Sequence, residues 1–243
     1  MKFDSRFLII ISLFCVIILS DCVGYPVGPG GRKGGTIRGA VTDRDGHPIE
    51  KAGIVIDYIL EYEVPIPGFA AGPEFPYQIP AAEETRIKIW VERYCTNEHI
   101  ITLADTTIGS GFVPEPWSGR NEEGKVCLPG AYNVIFYTET STESSADTNT
   151  VFMKRDGYSS FELSEIEVNA LTDSRGRFSI SQECLPFGYT DTWIGEGGDT
   201  LGTYKATRNV YVLAFHNQFH YQRYGPVPVD QSGGLKLEIQ MSR

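Results

Sequence analysis

Four histidines, five cysteines and 31 acidic side chains are the residues of this 243-residue chain that could carry chemistry. His47-Pro48-Ile49-Glu50 spells H-x-x-E, an imidazole and a carboxylate at a spacing that zinc sites use. It falls on a D-x-x-G turn, and no third ligand pattern accompanies it. His216 and His220 stand four positions apart. The Val210–Phe215 run before them is β-like, and on a continued strand two such histidines share a face about 13 Å apart. His99 has no partner at zinc-like spacing, and no Cys-x-x-Cys pair occurs. Gly195–Gly202, GEGGDTLG, reads as a turn, and no Gly-rich loop opens a helix for phosphate. Ser/His/Asp and Cys/His catalysis have no local signature. The expectation is a chain with no catalytic residue, no metal and no cofactor.

The cysteines point to export instead. Phe7–Leu19, FLIIISLFCVIIL, is an apolar run broken only by Ser12 and preceded by Lys2 and Arg6. It is shorter than the ~20 residues a membrane-spanning helix needs, and it matches a signal-peptide core. Residues 1–21 therefore read as a signal peptide. Leu19-Ser20-Asp21-Cys22 resembles a bacterial lipobox, which implies a lipid on Cys22; Asp21 departs from the small residue that pattern wants. An ordinary signal-peptidase cut near Cys22 or Gly24 is the alternative. Val23–Gly35, VGYPVGPGGRKGG, reads as a flexible tether. Export permits disulfides, and Cys95 and Cys127 are the expected pair. A bond closing that loop would stabilise by roughly 3–4 kcal/mol.

Net charge is −10, and removing residues 1–21 leaves it unchanged, since Lys2 and Arg6 balance Asp4 and Asp21. An acidic chain repels phosphate backbones, so nucleic acid is not an expected partner.

The elements that must position these residues are strands. Twenty-six glycines, 14 prolines and 12% aromatics suit short strands joined by turns. Ile37, Gly39 and Val41 alternate ahead of the turn Asp43-Arg44-Asp45-Gly46, and Pro48 fixes φ as the chain leaves it. Ala52–Leu60 is apolar on both faces, as a central strand would be. A second phrase, Asn169–Ile180, repeats strand, turn and strand around Asp173-Ser174-Arg175-Gly176. Both phrases read as hairpins. Between them, Arg86–Arg93, His99–Thr106 and Ala131–Thr140 read as strands, with Ile87, Ile89 and Val91 facing away from Arg86, Lys88, Trp90 and Glu92. Val64–Pro80, Gly109–Gly130, Ser141–Thr150 and Pro186–Tyr204 read as loops. Asn209–His216 and Leu235–Met241 close the domain.

Gly39-x-Val41-x-Asp43-x-x-Gly46-x-Pro48-Ile49 is similar to the opening of carboxypeptidase regulatory-like (transthyretin-like) domains. Thr172-Asp173-x-x-Gly176-x-Phe178-x-Ile180 resembles their second motif. The resemblance covers about 36–60 and 165–241. It implies an all-β antiparallel sandwich of Greek-key character, here spanning 36–243 with a β-rich insertion at about 61–164. It makes Asp43, Gly46, Pro48, Asp173, Gly176 and Phe178 structural turn residues, and it implies no catalysis. The expected function is a non-catalytic binding or structural module of the cell envelope, an outer-membrane lipoprotein anchored through Cys22, with an envelope protein or glycan as partner. A periplasmic or secreted chain is the alternative location. The competing function is an enzyme-accessory or metal-dependent hydrolase-like or dioxygenase-like domain. Intradiol dioxygenases share a related sandwich, but this chain has no H-x-H pair.

Overall fold

The computed structural model describes residues 35–62, 84–108, 117–154, 157–182, 185–194, 200–230 and 234–243. The expected signal peptide, nearly all of the tether, Cys22, the proline-rich stretch at 64–80, Cys184 and most of 195–202 lie outside them. The described residues all belong to one unit, Lys33–Arg243.

Apart from two short 3-10 turns, the regular structure described here is β. β1 (Thr36–Thr42) lies between β12 (Leu235–Gln240) and β8 (Arg177–Ser181) in a three-stranded sheet. Its alternation, buried Ile37 and Val41 against exposed Arg38, gives the sheet one apolar face, shared with Phe178, Ile180, Leu237 and Ile239. A second sheet runs in the order β11 (Phe219–Pro228), β10 (Thr200–His216), β2 (Gly53–Tyr62) and β7 (Ala170–Leu171). β9 (Thr190–Ile194) pairs with the first part of β10. The two sheets make the sandwich that the sequence implies. One pair departs from the antiparallel expectation: β1 and β12 run parallel.

The two D-x-x-G phrases are not extended hairpins. β1 pairs with β8 and β12, whereas β2 pairs with β10 and β7. Each phrase therefore carries the chain from one sheet to the other. The local signal, apolar alternation on both sides of a tight turn, is the same for a hairpin and a sandwich corner. Only the long-range pairing separates them.

The insertion folds as a four-stranded antiparallel sheet in the order β4-β3-β5-β6. These strands are β3 (Thr85–Arg93), β4 (His99–Ile108), β5 (Gly130–Glu139) and β6 (Ser144–Met153). Two stretches expected as loops are strands. Much of Ser141–Thr150 lies in β6, which pairs with β5 from Ser144 to Met153. Pro186–Tyr204 contains β9 and the start of β10. The first stretch was misleading because a ladder is held by backbone groups, so a strand of small polar residues needs no apolar face. Ile87, Ile89, Val91, Val134 and Phe136 bury the other face of this sheet against Trp117, Cys127 and Met153.

The insertion also covers the sandwich. β2 is buried on both faces from Gly53 to Tyr58. Val55, Leu213 and Phe215 on the outer face pack with Val126, Tyr158 and Ile166 from the segments around the inserted sheet. Burying side chains of this size is worth about 1.5–3 kcal/mol each. A Cβ on Gly53 would lie 2.2 Å from Leu163 Cδ1, so that glycine lets the covering segment approach.

Candidate functional site

The two turns singled out in the sequence are copies of one geometry. Asp43 Oδ1 accepts from the N–H of Asp45 and of His47, at 2.9 and 2.8 Å. Asp173 Oδ1 accepts from Arg175 and Arg177 at 2.9 and 2.8 Å. The fourth residue in each turn has positive φ, +83° at Gly46 and +69° at Gly176. The hydrogen bonds from His47 and from Arg177 hold the two aspartates below their ordinary pKa. Pro48 makes a bridge to Thr42. Phe178 is buried opposite Gly39, where a Cβ would lie 2.5 Å from its ring.

The corners interlock. Gly176 O accepts from Val41 N at 2.8 Å, and Thr172 O accepts from Lys51 N at 2.9 Å. The buried Thr172 Oγ1 accepts from Ala52 N at 2.8 Å and donates to Ile49 O at 2.7 Å. The turn motifs therefore hold the sandwich together.

His47 Nδ1 lies 3.3 Å from Asp43 Oδ2. Asp43, Asp45 and His47 bring one ligand atom each within 4.8 Å of one another, and Glu50 is not among them. Asp43 already serves the turn, and Asp45 and His47 are exposed. The H-x-x-E pair thus takes no common site. His216 ends β10 and His220 lies in β11, two sides of a hairpin turned at Asn217-Gln218. His216 lines an open groove of ≈ 630 Å³ with Lys51, Ile166, Val168 and Leu171.

The expected Cys95–Cys127 bond is not formed. Cys127 is a buried thiol in the core of the inserted sheet. Cys95 is disulfide-bonded, from the turn after β3. Spacing along the chain ranked the pair, but Cys127 packs in the core of the inserted sheet while Cys95 sits in a turn at its end.

Sequence reasoning missed the joint between sheet and sandwich. Arg93, at the end of β3, donates to Glu98, Tyr132 and Glu167 at 2.9, 3.0 and 3.0 Å. Glu167 also accepts from Asn121 Nδ2 at 2.9 Å and Leu128 N at 3.2 Å. Burial opposes the charge on Arg93, but Tyr132 and Glu167 outweigh it and hold its pKa above the ordinary value. A second contact is aromatic. Phe152 of β6 packs edge-on to Tyr58 at 5.9 Å and to Tyr204 at 6.2 Å. Tyr189 and Tyr204 both donate to Asp191 Oδ2, at 3.2 and 3.1 Å. Burial first, then Asp191, raises the pKa of Tyr204.

The opposite face of the inserted sheet is half-buried. Register places Lys88, Trp90 and Glu92 of β3 beside Tyr137, Ile135 and Asn133 of β5, and Ile135 beside Thr148 of β6. Lys88 Nζ stands 5.6 Å over the Trp90 ring, and Trp90 Nε1 donates to Glu92 at 2.7 Å. Arg86 is shared between Asp105 and Glu139 at 3.4 and 3.9 Å. The face is a half-buried stripe of Trp90, Ile135 and Tyr137 inside a rim of paired charges and hydroxyls. Its signal was present in the sequence: Trp90 occupies the polar phase of an otherwise regular strand.

Comparison with protein-family models, with curated proteins and with solved structures finds no match for this chain.

Proposed function

We propose that the chain is an exported, non-catalytic binding module of the cell envelope, with a carboxypeptidase regulatory-like sandwich as its frame. The inserted sheet is its recognition surface, and Cys22 carries its lipid anchor. The observation that carries the reading is the half-buried stripe of Trp90, Ile135 and Tyr137 on the inserted sheet. An aromatic stripe with a satisfied charged rim suits contact with another molecule's surface better than bond-breaking chemistry. Export is supported by the signal-like Phe7–Leu19 run and by the disulfide at Cys95, since such bonds persist in oxidising compartments. The partner is an envelope protein or a glycan.

Site-specific photo-crosslinking in intact cells tests the recognition surface. A photoreactive residue at position 88 or 137 is expected to capture an envelope component, and capture from neither would overturn this role. Mass spectrometry of the mature N-terminus tests the anchor: acyl chains on Cys22 are expected, and an unmodified Cys22 refutes it. Stoichiometric zinc or iron in the purified chain would overturn the non-catalytic assignment.

A further inference from the structure

The groove of ≈ 630 Å³ beside His216 has an aliphatic floor. Leu163 and Val168 cross over Gly53 at the start of β2, where a Cβ would lie 2.2 and 2.7 Å from them. Leu171 of β7 pairs with Gly53 and keeps 55% of its surface exposed. Ile166, buried, completes the floor. No Phe, Tyr or Trp is among the lining residues. Branched aliphatic side chains give a flexible hydrocarbon close dispersion contact. They offer no ring on which a sugar or an aromatic group would stack.

The rim is cationic. Lys51 and Lys125 line the groove, and no Asp or Glu does, in a chain whose net charge is −10. Lys125 Nζ lies 2.7 Å from Glu123. Lys51 makes no ion pair with a described residue. Its backbone is fixed, with φ +60° and its N–H donating to Thr172 O at 2.9 Å. Gln218 N–H donates to His216 Nδ1 at 3.1 Å, so the neutral imidazole keeps its proton on Nε2 as a donor. The volume falls within the ~300–1,000 Å³ of small-molecule sites. A positive rim over an aliphatic floor is complementary to an acidic head on an aliphatic tail. We propose that this groove binds a free long-chain carboxylate, its tail along Leu163, Ile166, Val168 and Leu171 and its head at Lys51. The site does not rest on the Trp90 stripe or on the anchor at Cys22.

Photo-labelling tests this. The full chain purified from cells is irradiated with a diazirine-bearing dodecanoate, and labelled residues are mapped by mass spectrometry. Labels are expected within 163–171. Excess plain dodecanoate should remove them, whereas dodecanol and hexanoate should not. Lys51→Glu changes an exposed side chain and leaves the floor intact, and labelling is expected to fall about five- to tenfold. Lys51→Arg should retain it. Leu171→Asp puts a charge on an exposed part of the floor and should lower labelling to a similar degree, with the urea midpoint of each variant checking the fold. No label within 163–171, equal competition by dodecanol, or undiminished labelling of K51E overturns the proposal. Label removed by phosphatidylglycerol vesicles but not by phosphatidylcholine vesicles would assign the groove to a membrane lipid and overturn the free carboxylate.

Discussion

Gly46 and Gly176 share a backbone conformation and differ in surroundings. A Cβ on Gly46 would have nothing within 4 Å, whereas one on Gly176 would lie 2.4 Å from Val41 O and 3.1 Å from Pro48 Cβ. Gly46→Ala is therefore expected to cost only the strain of a left-handed residue, about 1 kcal/mol. Gly176→Ala adds a collision with the neighbouring corner and is expected to cost about 2–4 kcal/mol. Urea denaturation of the two variants measures the difference, and equal losses would show that the corners do not interlock. The type of residue at each position was legible in the sequence, because a D-x-x-G turn demands Gly at its fourth place. That Gly176 also touches Val41 and Pro48 was not, since those contacts join positions far apart in the chain.

Among the elements, the joint at Arg93 and Glu167 decides how firmly the inserted sheet is held. Both side chains are mostly covered, with 20% and 16% exposure. Removing one partner strands the other charge, so Arg93→Met is expected to destabilise by about 3 kcal/mol. In a double-mutant cycle, Arg93→Met with Glu167→Met should cost less than the two single changes summed. Strict additivity would show that the pair does not couple. Strands β3, β4 and β5 were readable from alternation, as was Trp90 on the polar phase. β6 was hidden because Ser, Thr, Asn and Asp also favour turns. The Arg93–Glu167 pair was hidden because charged residues 74 apart give no local signal.

For the whole molecule, acid is the informative stress. Asp43 and Asp173 have pKa values lowered by turn hydrogen bonds, first those from His47 and Arg177. A carboxylate whose folded pKa is depressed stabilises the fold above its unfolded value, near pH 4, and this is lost as pH falls through the folded pKa. Asp43→Asn with Asp173→Asn is expected to flatten that acid limb, read from denaturation midpoints at pH 7 and pH 3. Parallel slopes for parent and variant would show that neither turn carries the dependence. The sequence by itself determined that this is an all-β chain with two acidic turns and a β-rich stretch between them, because alternation and turn chemistry are local properties. The tertiary structure alone decided that the corners cross between sheets, that β1 and β12 run parallel, that Cys127 stays a thiol while Cys95 is bonded, and that Arg93 and Glu167 tie the inserted sheet to the sandwich. These depend on which distant segments meet, and a chain records its neighbours in sequence more plainly than its neighbours in space.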